Sequence, residues 1–198
     1  MTWCSTANLK CKALPRTFYQ RPATDVARAL LGKTLVHGAV SARIVETEAY
    51  LGLEDPAAHA FRGLTPRTKV LFGPPAHAYV YLIYGMYECL NIVAETEGSP
   101  GCVLIRALEP LTGLAAMRRR RPGVRRDEDL ANGPGKLTLA MGITRRDNGR
   151  DVTRGDLYVC HARQDDPFEM GVSARVGIRH AADWPLRFYV VGNRYVSR

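Results

Sequence analysis

Two carboxylates, Glu46 and Glu48, lie two residues apart in an apolar stretch, and Tyr50 follows at the same spacing. In an extended strand alternate side chains share a face, so these three would lie on one side together with Ile44. The opposite, core-facing side would carry Val45, Thr47, Ala49 and Leu51. Paired carboxylates beside an aromatic ring suggest a cleft, where a carboxylate could orient water and stabilise positive charge. The alternative is the solvent-exposed side of a half-buried strand.

A metal site is a second possibility for the same region, because Asp55 and His59 follow closely after the two carboxylates. Carboxylates and an imidazole could bind Mg²⁺ or Mn²⁺ for nuclease chemistry. Such an enzyme would cleave the DNA strand itself and would lose activity in chelator. A structural zinc site is not expected, since none of the five cysteines forms a C-x-x-C pair.

Two β-rich runs meet at Gly85, a pattern that predicts a β-hairpin. A two-residue turn of Gly85 and Met86 would pair Tyr84 with Tyr87. A three-residue loop that also includes Tyr84 would instead pair Ile83 with Tyr87. The sequence alone leaves both registers open, and they differ in which side chains meet on each face.

The three-residue loop would bring Tyr79, Tyr81 and Asn91 onto one face of the hairpin and leave Tyr84 and Met86 at its tip. Apolar side chains at an exposed tip contribute no hydrophobic stabilisation unless another group covers them. In a basic protein the tip could be a wedge that enters between base pairs. The alternative is that the tip packs against its own domain.

Arg106 lies within an apolar run and would share a strand face with Cys102 and Leu104. A buried and unpaired charge is very costly, so this arginine needs an acceptor. Glu48 is the natural candidate. Cys102, like Cys89, is expected to be a small core residue, whereas Cys4 and Cys11 are given no role.

The chain of 198 residues is basic, with 28 Lys and Arg against 19 Asp and Glu, a net charge of +9. This excess favours a polyanionic partner such as nucleic acid, or an anionic membrane surface. Six arginines between Arg118 and Arg126 form either a mobile, solvated loop or a segment that attracts DNA. The run Gly133-Pro134-Gly135-Lys136 could place backbone N–H groups and a lysine beside a phosphate at a helix start. No apolar run reaches the ~18 residues that span a bilayer, and no signal peptide is evident, so a cytoplasmic protein is expected.

The helices and strands predicted around these residues indicate one α+β domain over residues 14–198. A flexible tail over residues 1–13 would precede it. We expect a mixed, mostly antiparallel β-sheet core, a protruding β-hairpin and surrounding helices. Helices are predicted at Thr24–Leu31, Pro110–Arg120 and Leu137–Met141. Strands are predicted at Lys33–His37, Ala42–Leu51, Ala78–Tyr84, Tyr87–Ala94, Cys102–Leu108 and Leu186–Val191.

Six segments carry a specific resemblance when they are taken together and in order. They are R-I-V-E-T-E-A-Y-L-G (43–52), Y-V-Y-L-I-Y-G-M-Y (79–87), V-L-I-R-A-L-E-P-L (103–111), G-P-G-K-L (133–137), A-R-V-G-I (174–178) and P-L-R-F-Y-V (185–190). From about Leu14 to Val196 the chain resembles the alkyladenine (3-methyladenine) DNA glycosylase family. The resemblance implies a monofunctional, metal-free and cofactor-free enzyme of base excision repair. Such an enzyme flips a damaged purine from duplex DNA and hydrolyses its N-glycosidic bond.

The resemblance also implies roles for individual residues. Glu48 would be the general base, while Arg106 and the carbonyl of Val176 would position its water. The residues implied to bind the flipped base are Tyr50, His59, Tyr81, Asn91 and Leu104. The residues implied to contact DNA are Tyr84, Met86, Thr65, Arg67, Lys69, Lys136 and Gly177. Within these sets, Asn91 would oppose the exocyclic amine of normal guanine, and Tyr84 would fill the vacated stack.

The chemistry expected from such a site is dissociation of the base with positive charge on the deoxyribose, stabilised by a carboxylate. Glu46 is the rival of Glu48 for this role. Stacking on Tyr50 and Tyr81 would favour a cationic alkylated purine. No lysine occupies these positions, which disfavours an imine-forming lyase. The expected protein is a monomer acting on damaged double-stranded DNA, and a non-catalytic nucleic-acid binding module is the remaining alternative.

Overall fold

Strand β2 (Val40–Tyr50) lies at the centre of the fold. The computed structural model describes residues 11–162 and 167–197. The helices are α1 (Arg16–Tyr19), α2 (Ala23–Leu30), α3 (Leu114–Arg120) and α4 (Pro134–Met141). The other strands are β1 (Thr34–His37), β3 (Ala78–Ile83), β4 (Tyr87–Val93), β5 (Cys102–Thr112), β6 (Leu157–Cys160), β7 (Met170–Ser173) and β8 (Arg187–Val190). Short 3-10 helices at Gly52–Glu54, His59–Arg62 and Lys69–Phe72 interrupt the connection between β2 and β3.

The strands form one open, eight-stranded sheet in the order β3-β4-β5-β2-β1-β6, with β8 bridging β2 and β7. One edge of β2 pairs with β5. The other edge pairs with β1 over residues 40–43 and with β8 over residues 46–48. These pairs are antiparallel. The predicted α+β domain with a mostly antiparallel sheet is confirmed. Apolar residues of α2, α4 and the sheet form the main core, to which β2 contributes Val40, Ala42, Ile44 and Ala49.

A β-bulge in β2 changes which side chains face the core. Ile44 pairs with Leu108 and Glu46 pairs with Ala107, so Val45 is the additional residue. As a result Ile44 belongs to the main core and Val45 to a small separate cluster. The predicted alternation is therefore wrong at these two positions, because a bulge shifts the side-chain register by one residue. The solvent-exposed alternative is also wrong, since Glu46 and Glu48 are both 0% exposed.

The hairpin of β3 and β4 adopts the three-residue loop. Ile83 pairs with Tyr87, and the N–H of Met86 donates to the carbonyl of Ile83 at 3.2 Å. Tyr84, at the tip, has a φ of 53° and is 78% exposed. The tip therefore does not pack against its own domain, and the alternative of a self-covered tip is wrong.

Helix α4 supports the base of this hairpin. A Cβ on Gly135 would lie 2.8 Å from Cβ of Tyr87, so only glycine allows the helix to approach this closely. The hydroxyl of Thr138 also donates to the carbonyl of Glu88 at 2.9 Å. The helix begins three residues earlier than predicted, at Pro134. The helix that was predicted to start at Pro110 starts at Leu114 instead, because β5 continues to Thr112.

The start of the described chain is attached to β6. Cys11 forms a disulfide bond with Cys160, and Ala13 forms a β-bridge with the same residue. The N–H of Leu14 donates to the carbonyl of Val159 at 2.8 Å. Most of the predicted tail, with Cys4, lies outside the described residues. Within the described ranges, no helix has the length and apolarity that would let it cross a membrane.

Candidate active site

A cavity of about 580 Å³ opens beside the hairpin, on the face of the sheet that carries Tyr50, Tyr81 and Arg106. Its walls come from β2 to β5, α4 with the neighbouring Arg121, and the segments 57–59 and 176–178. Cys102, Leu104 and Arg106 all line it, as the predicted alternation of β5 requires. The volume lies within the range of about 300–1,000 Å³ that is usual for small-molecule sites.

Glu48 lies directly behind this wall, and its carboxylate is held by three groups. Its Oε1 accepts the N–H of Val176 at 2.7 Å and lies 3.3 Å from Nη1 of Arg106. Its Oε2 accepts the hydroxyl of Tyr50 at 3.0 Å. The three partners themselves line the cavity. The structure thus brings the predicted catalytic residues Glu48, Arg106 and Val176 together.

The pKa of Glu48 is raised above its ordinary value. Burial is the largest cause, because it disfavours the charged carboxylate, and the charge of Glu46 acts in the same direction. Arg106, the Val176 N–H and the Tyr50 hydroxyl oppose this shift. A carboxylate with a raised pKa is a stronger base than an ordinary surface glutamate.

The loop that carries Val176 is attached to the core through its neighbour Arg175. Arg175 is buried and forms a two-pronged ion pair with Asp55, in which Nη2 donates to Oδ1 at 2.9 Å. Its guanidinium also lies 4.6 Å from the ring centre of Tyr50. This one arginine therefore fixes two neighbours of Glu48. Sequence reasoning missed it, since Asp55 and Arg175 are 120 residues apart.

The predicted metal alternative is not supported by the arrangement of its residues. Asp55 is engaged by Arg175, and Glu46 accepts the Nε groups of Arg106 and Arg187 at 3.0 and 2.7 Å. Across residues 11–162 and 167–197, no cluster of three or more His, Cys, Asp or Glu side chains could hold an ion. The carboxylates of the nuclease hypothesis are already paired with arginines.

Aromatic side chains line the cavity. The ring of His59 lies edge-on to Tyr81, with centroids 4.5 Å apart, and its Nδ1 is 3.0 Å from the hydroxyl of Tyr79. Burial and the charge of Arg67 lower the pKa of His59 to about 4. The structure brings Tyr50, His59 and Tyr81 into one pocket, as predicted, and adds Tyr79 to it. The sequence feature that could have identified Tyr79 as a pocket residue is its place on the same hairpin face as Tyr81 and Asn91.

Asn91 and Leu104 form the floor of the pocket, paired across β4 and β5. Asn91 is 3% exposed, and its Nδ2 donates to the carbonyl of Tyr79 at 3.4 Å. The thiol of Cys102 is 3.8 Å from Oδ1 of Asn91. These contacts hold the amide in one orientation.

The predicted DNA-contacting residues fall into two groups. Tyr84, Lys136 and Gly177 line the mouth of the cavity, and Met86 lies 66% exposed at the hairpin tip. Thr65, Arg67 and Lys69 are exposed on the connection between β2 and β3. In this second group only Arg67 has a described contact with the pocket, since its guanidinium lies 5.3 Å from the ring centre of Tyr81.

The arginine run is more ordered than the mobile-loop alternative predicted. Arg120 donates to the carbonyl of Ala140 at 2.9 Å, and Arg118 pairs with Asp127 at 2.6 Å. Arg121 donates to two backbone carbonyls, at 2.7 Å each, and lines the cavity. Sequence reasoning missed its place at the cavity, because only the packing of α3 against α4 brings it there.

Comparisons with known proteins show which family the chain resembles. The family model described as methylpurine-DNA glycosylase (MPG) matches residues 17–194. A protein of Methanocella arvoryzae is 51% identical over 195 residues, covering 93% of this chain and 96% of its own. A protein of Burkholderia lata is 50% identical, covering 93% and 90%, and one of Alkaliphilus oremlandii is 44% identical, covering 93% and 98%. Each of the three is named "Putative 3-methyladenine DNA glycosylase".

Proposed function

Because the chain belongs to the methylpurine-DNA glycosylase family and is a DNA glycosylase of alkylated-base repair, we propose how it acts. It flips a damaged purine from double-stranded DNA and hydrolyses the N-glycosidic bond with a water activated by Glu48. One observation carries the proposal. The buried carboxylate of Glu48 is held by Tyr50, Val176 and Arg106 at the wall of a cavity lined with aromatic rings.

The carboxylate has two tasks in this reaction. As the bond to the base breaks, positive charge develops on the deoxyribose, and the buried anion stabilises it. Oε2 of Glu48 has one hydrogen-bond partner among the described residues, the Tyr50 hydroxyl, so a lone pair is left to accept a proton from water. The Val176 carbonyl and Arg106 Nη1, which are 3.5 Å apart, would position that water.

The aromatic rings select the base. A purine that enters the cavity would stack against Tyr50 and Tyr81, which favours electron-poor, cationic alkylated rings. A pKa of about 4 keeps His59 neutral at pH 7, so it adds no positive charge that would repel such a base. The hydrogen bond that His59 shares with Tyr79 fixes the orientation of its ring.

The rim of the cavity would hold the DNA. Lys136 and Arg121 place positive charge at the mouth, and Tyr84 projects from the hairpin next to them. The net charge of +9 supports binding to the phosphate backbone. A single copy provides the whole constellation, so we propose that the protein acts as a monomer.

The proposal is tested by measuring free base released from duplexes that carry 3-methyladenine, 7-methylguanine, hypoxanthine or ethenoadenine, with and without chelator. We expect release of at least one of these bases, no effect of chelator and an intact strand before alkaline treatment. Strand cleavage that stops in chelator would instead support the nuclease. Tight binding to every duplex with no base released would support a non-catalytic binding module.

Asn91→Ser is expected to raise the release of guanine-type bases relative to adenine-type bases by about tenfold. The shorter side chain would leave room for the exocyclic amine of guanine, and a steric difference as small as one methylene in a pocket is worth about 1–3 kcal/mol of discrimination. The measurement is the ratio of excision rates for 7-methylguanine and 3-methyladenine. An unchanged ratio would mean that Asn91 serves only to bond the Tyr79 carbonyl.

A further inference from the structure

Glu46 lies two residues before the proposed base, and its carboxylate accepts four hydrogen bonds from protein groups. Oε1 accepts from Nε of Arg106 at 3.0 Å, from Nε of Arg187 at 2.7 Å and from the hydroxyl of Ser197 at 2.8 Å. Oε2 accepts the N–H of Ser197 at 2.7 Å. Two of its three partners, Arg187 and Ser197, are not among the residues that line the cavity, whereas all three partners of Glu48 line it. Its position next to Arg106 suggests a different contribution.

Ser197 closes a ring with Glu46 and Arg106, since Nη2 of Arg106 lies 3.4 Å from the serine Oγ. The segment after β8 brings Ser197 to this place. Tyr195 is buried against Val45 and Ala107, the residues beside the irregular pairing of β2 and β5. Ser197 itself lies beyond residues 17–194, the part of the chain that matches the family.

The two edges of the Arg106 guanidinium make different contacts. Its Nε and Nη2 face Glu46 and Ser197, and its Nη1 faces Oε1 of Glu48 at 3.3 Å and the Val176 carbonyl at 3.5 Å. The group is rigid and planar, so a fixed Nε–Nη2 edge also fixes the direction of Nη1. The alternation of β5 directs the Arg106 side chain to this side of the sheet, and a register shift leaves Arg106 unpaired opposite β2.

We propose that Glu46 and Ser197 are positioning residues that hold one edge of Arg106, so that its other edge points to Glu48 and to the site of the attacking water. The inference rests on the proposed function, because it assigns the reacting water to that edge. The segment after β8 thereby becomes part of the active site. A purely structural role for the same contacts would affect folding but leave the chemistry unchanged.

The test is the single-turnover rate of base release, with wild-type and variant enzyme in saturating excess over lesion-containing duplex. Under these conditions the rate constant does not depend on the fraction of enzyme that is folded. Ser197→Ala is expected to lower it about 2- to 13-fold, the factor for one hydrogen bond, with unchanged affinity for lesion DNA. Ser197→Thr keeps the hydroxyl and is expected to restore most of the rate. Glu46→Gln is expected to lower it by ~10- to 100-fold, since small misplacements of a positioning group are costly.

Thr47→Val is the matched control. Thr47 is buried next to Glu46, but its hydroxyl donates to the carbonyl of Ala27 on the core side at 2.9 Å. This variant is expected to lower the Tm and to keep the wild-type single-turnover rate. A wild-type rate in Ser197→Ala, or an equal fall in Ser197→Ala and Thr47→Val, would overturn the inference.

Arg106→Lys separates this inference from the proposed function. Arg106→Lys could be slow while Ser197→Ala and Glu46→Gln react at the wild-type rate. In that case Arg106 acts in the reaction without being positioned by Ser197 and Glu46, and only the inference fails. If Arg106→Lys itself reacts at the wild-type rate, the proposed positioning of water by Arg106 fails, whatever the other variants do.

Discussion

Glu48→Gln is expected to lower base release by at least ~10²-fold and to leave binding to lesion-containing DNA intact, because the amide keeps the shape of the side chain but loses its basicity and charge. The measurement pairs single-turnover excision with a binding titration on the same duplex. Intact binding shows that the variant is folded. Tyr50 and Val176 remain available to hold the new side chain, although the Val176 N–H requires the amide oxygen to face it.

The pH dependence gives a second measure of the same group. Only the deprotonated carboxylate can take a proton from water, so activity should fall as the pH drops through the pKa of Glu48. That pKa is raised, chiefly by burial, so the fall should begin at a higher pH than for an ordinary glutamate. Near-normal turnover in Glu48→Gln, together with an inactive Glu46→Gln, would move the role of the base to Glu46.

Tyr84→Ser is expected to reduce excision by roughly 5- to 150-fold in stably paired duplexes, through weaker flipping rather than slower chemistry. An aromatic ring that replaces an extruded base in the stack is worth about 1–3 kcal/mol. The defect should shrink when the lesion is opposite a poorly pairing base, since less unpairing work then remains. The measurement compares excision rates for one lesion opposite several partner bases.

Two variants serve as controls for this effect. Tyr84→Phe keeps the ring and should remain close to wild type. Glu48→Gln should show no dependence on the opposing base. Because Tyr84 is 78% exposed, its loss should leave the Tm of the free protein no lower. Equal defects in every pairing context, accompanied by a lower Tm, would contradict the wedge assignment.

Local pattern was sufficient to predict much of this fold. The β-rich runs on either side of Gly85 predicted the hairpin, and one of the two registers considered is the one in the structure. The alternation of Cys102, Leu104 and Arg106 predicted their common face. These features depend on residues that are close in sequence, where side-chain direction follows from strand geometry.

Other features depend on contacts between distant segments and could not be predicted. The bulge at Val45 depends on how β2 pairs with β5, so the exchange of Ile44 and Val45 between the two clusters had no local signal. The attachment of Val176 through Arg175 and Asp55 spans 120 residues. Ser197 has no sequence pattern that links it to Arg106. The resemblance supplied the roles of the candidate site residues, and sequence reasoning predicted the pairing of Arg106 with Glu48, whereas the support from Arg175 and Ser197 came only from the fold.

The backbone of Tyr84 has a consequence for engineering. Its φ of 53° lies in the left-handed region, which costs a residue with a Cβ roughly 1–2 kcal/mol and costs glycine little. Replacement by glycine would relieve this strain and also remove the ring proposed to stack in DNA. Selection for heat resistance and selection for repair would therefore favour opposite residues at one position. A thermostability library for this enzyme should keep residue 84 fixed, since its most stabilising substitutions there would be the least active.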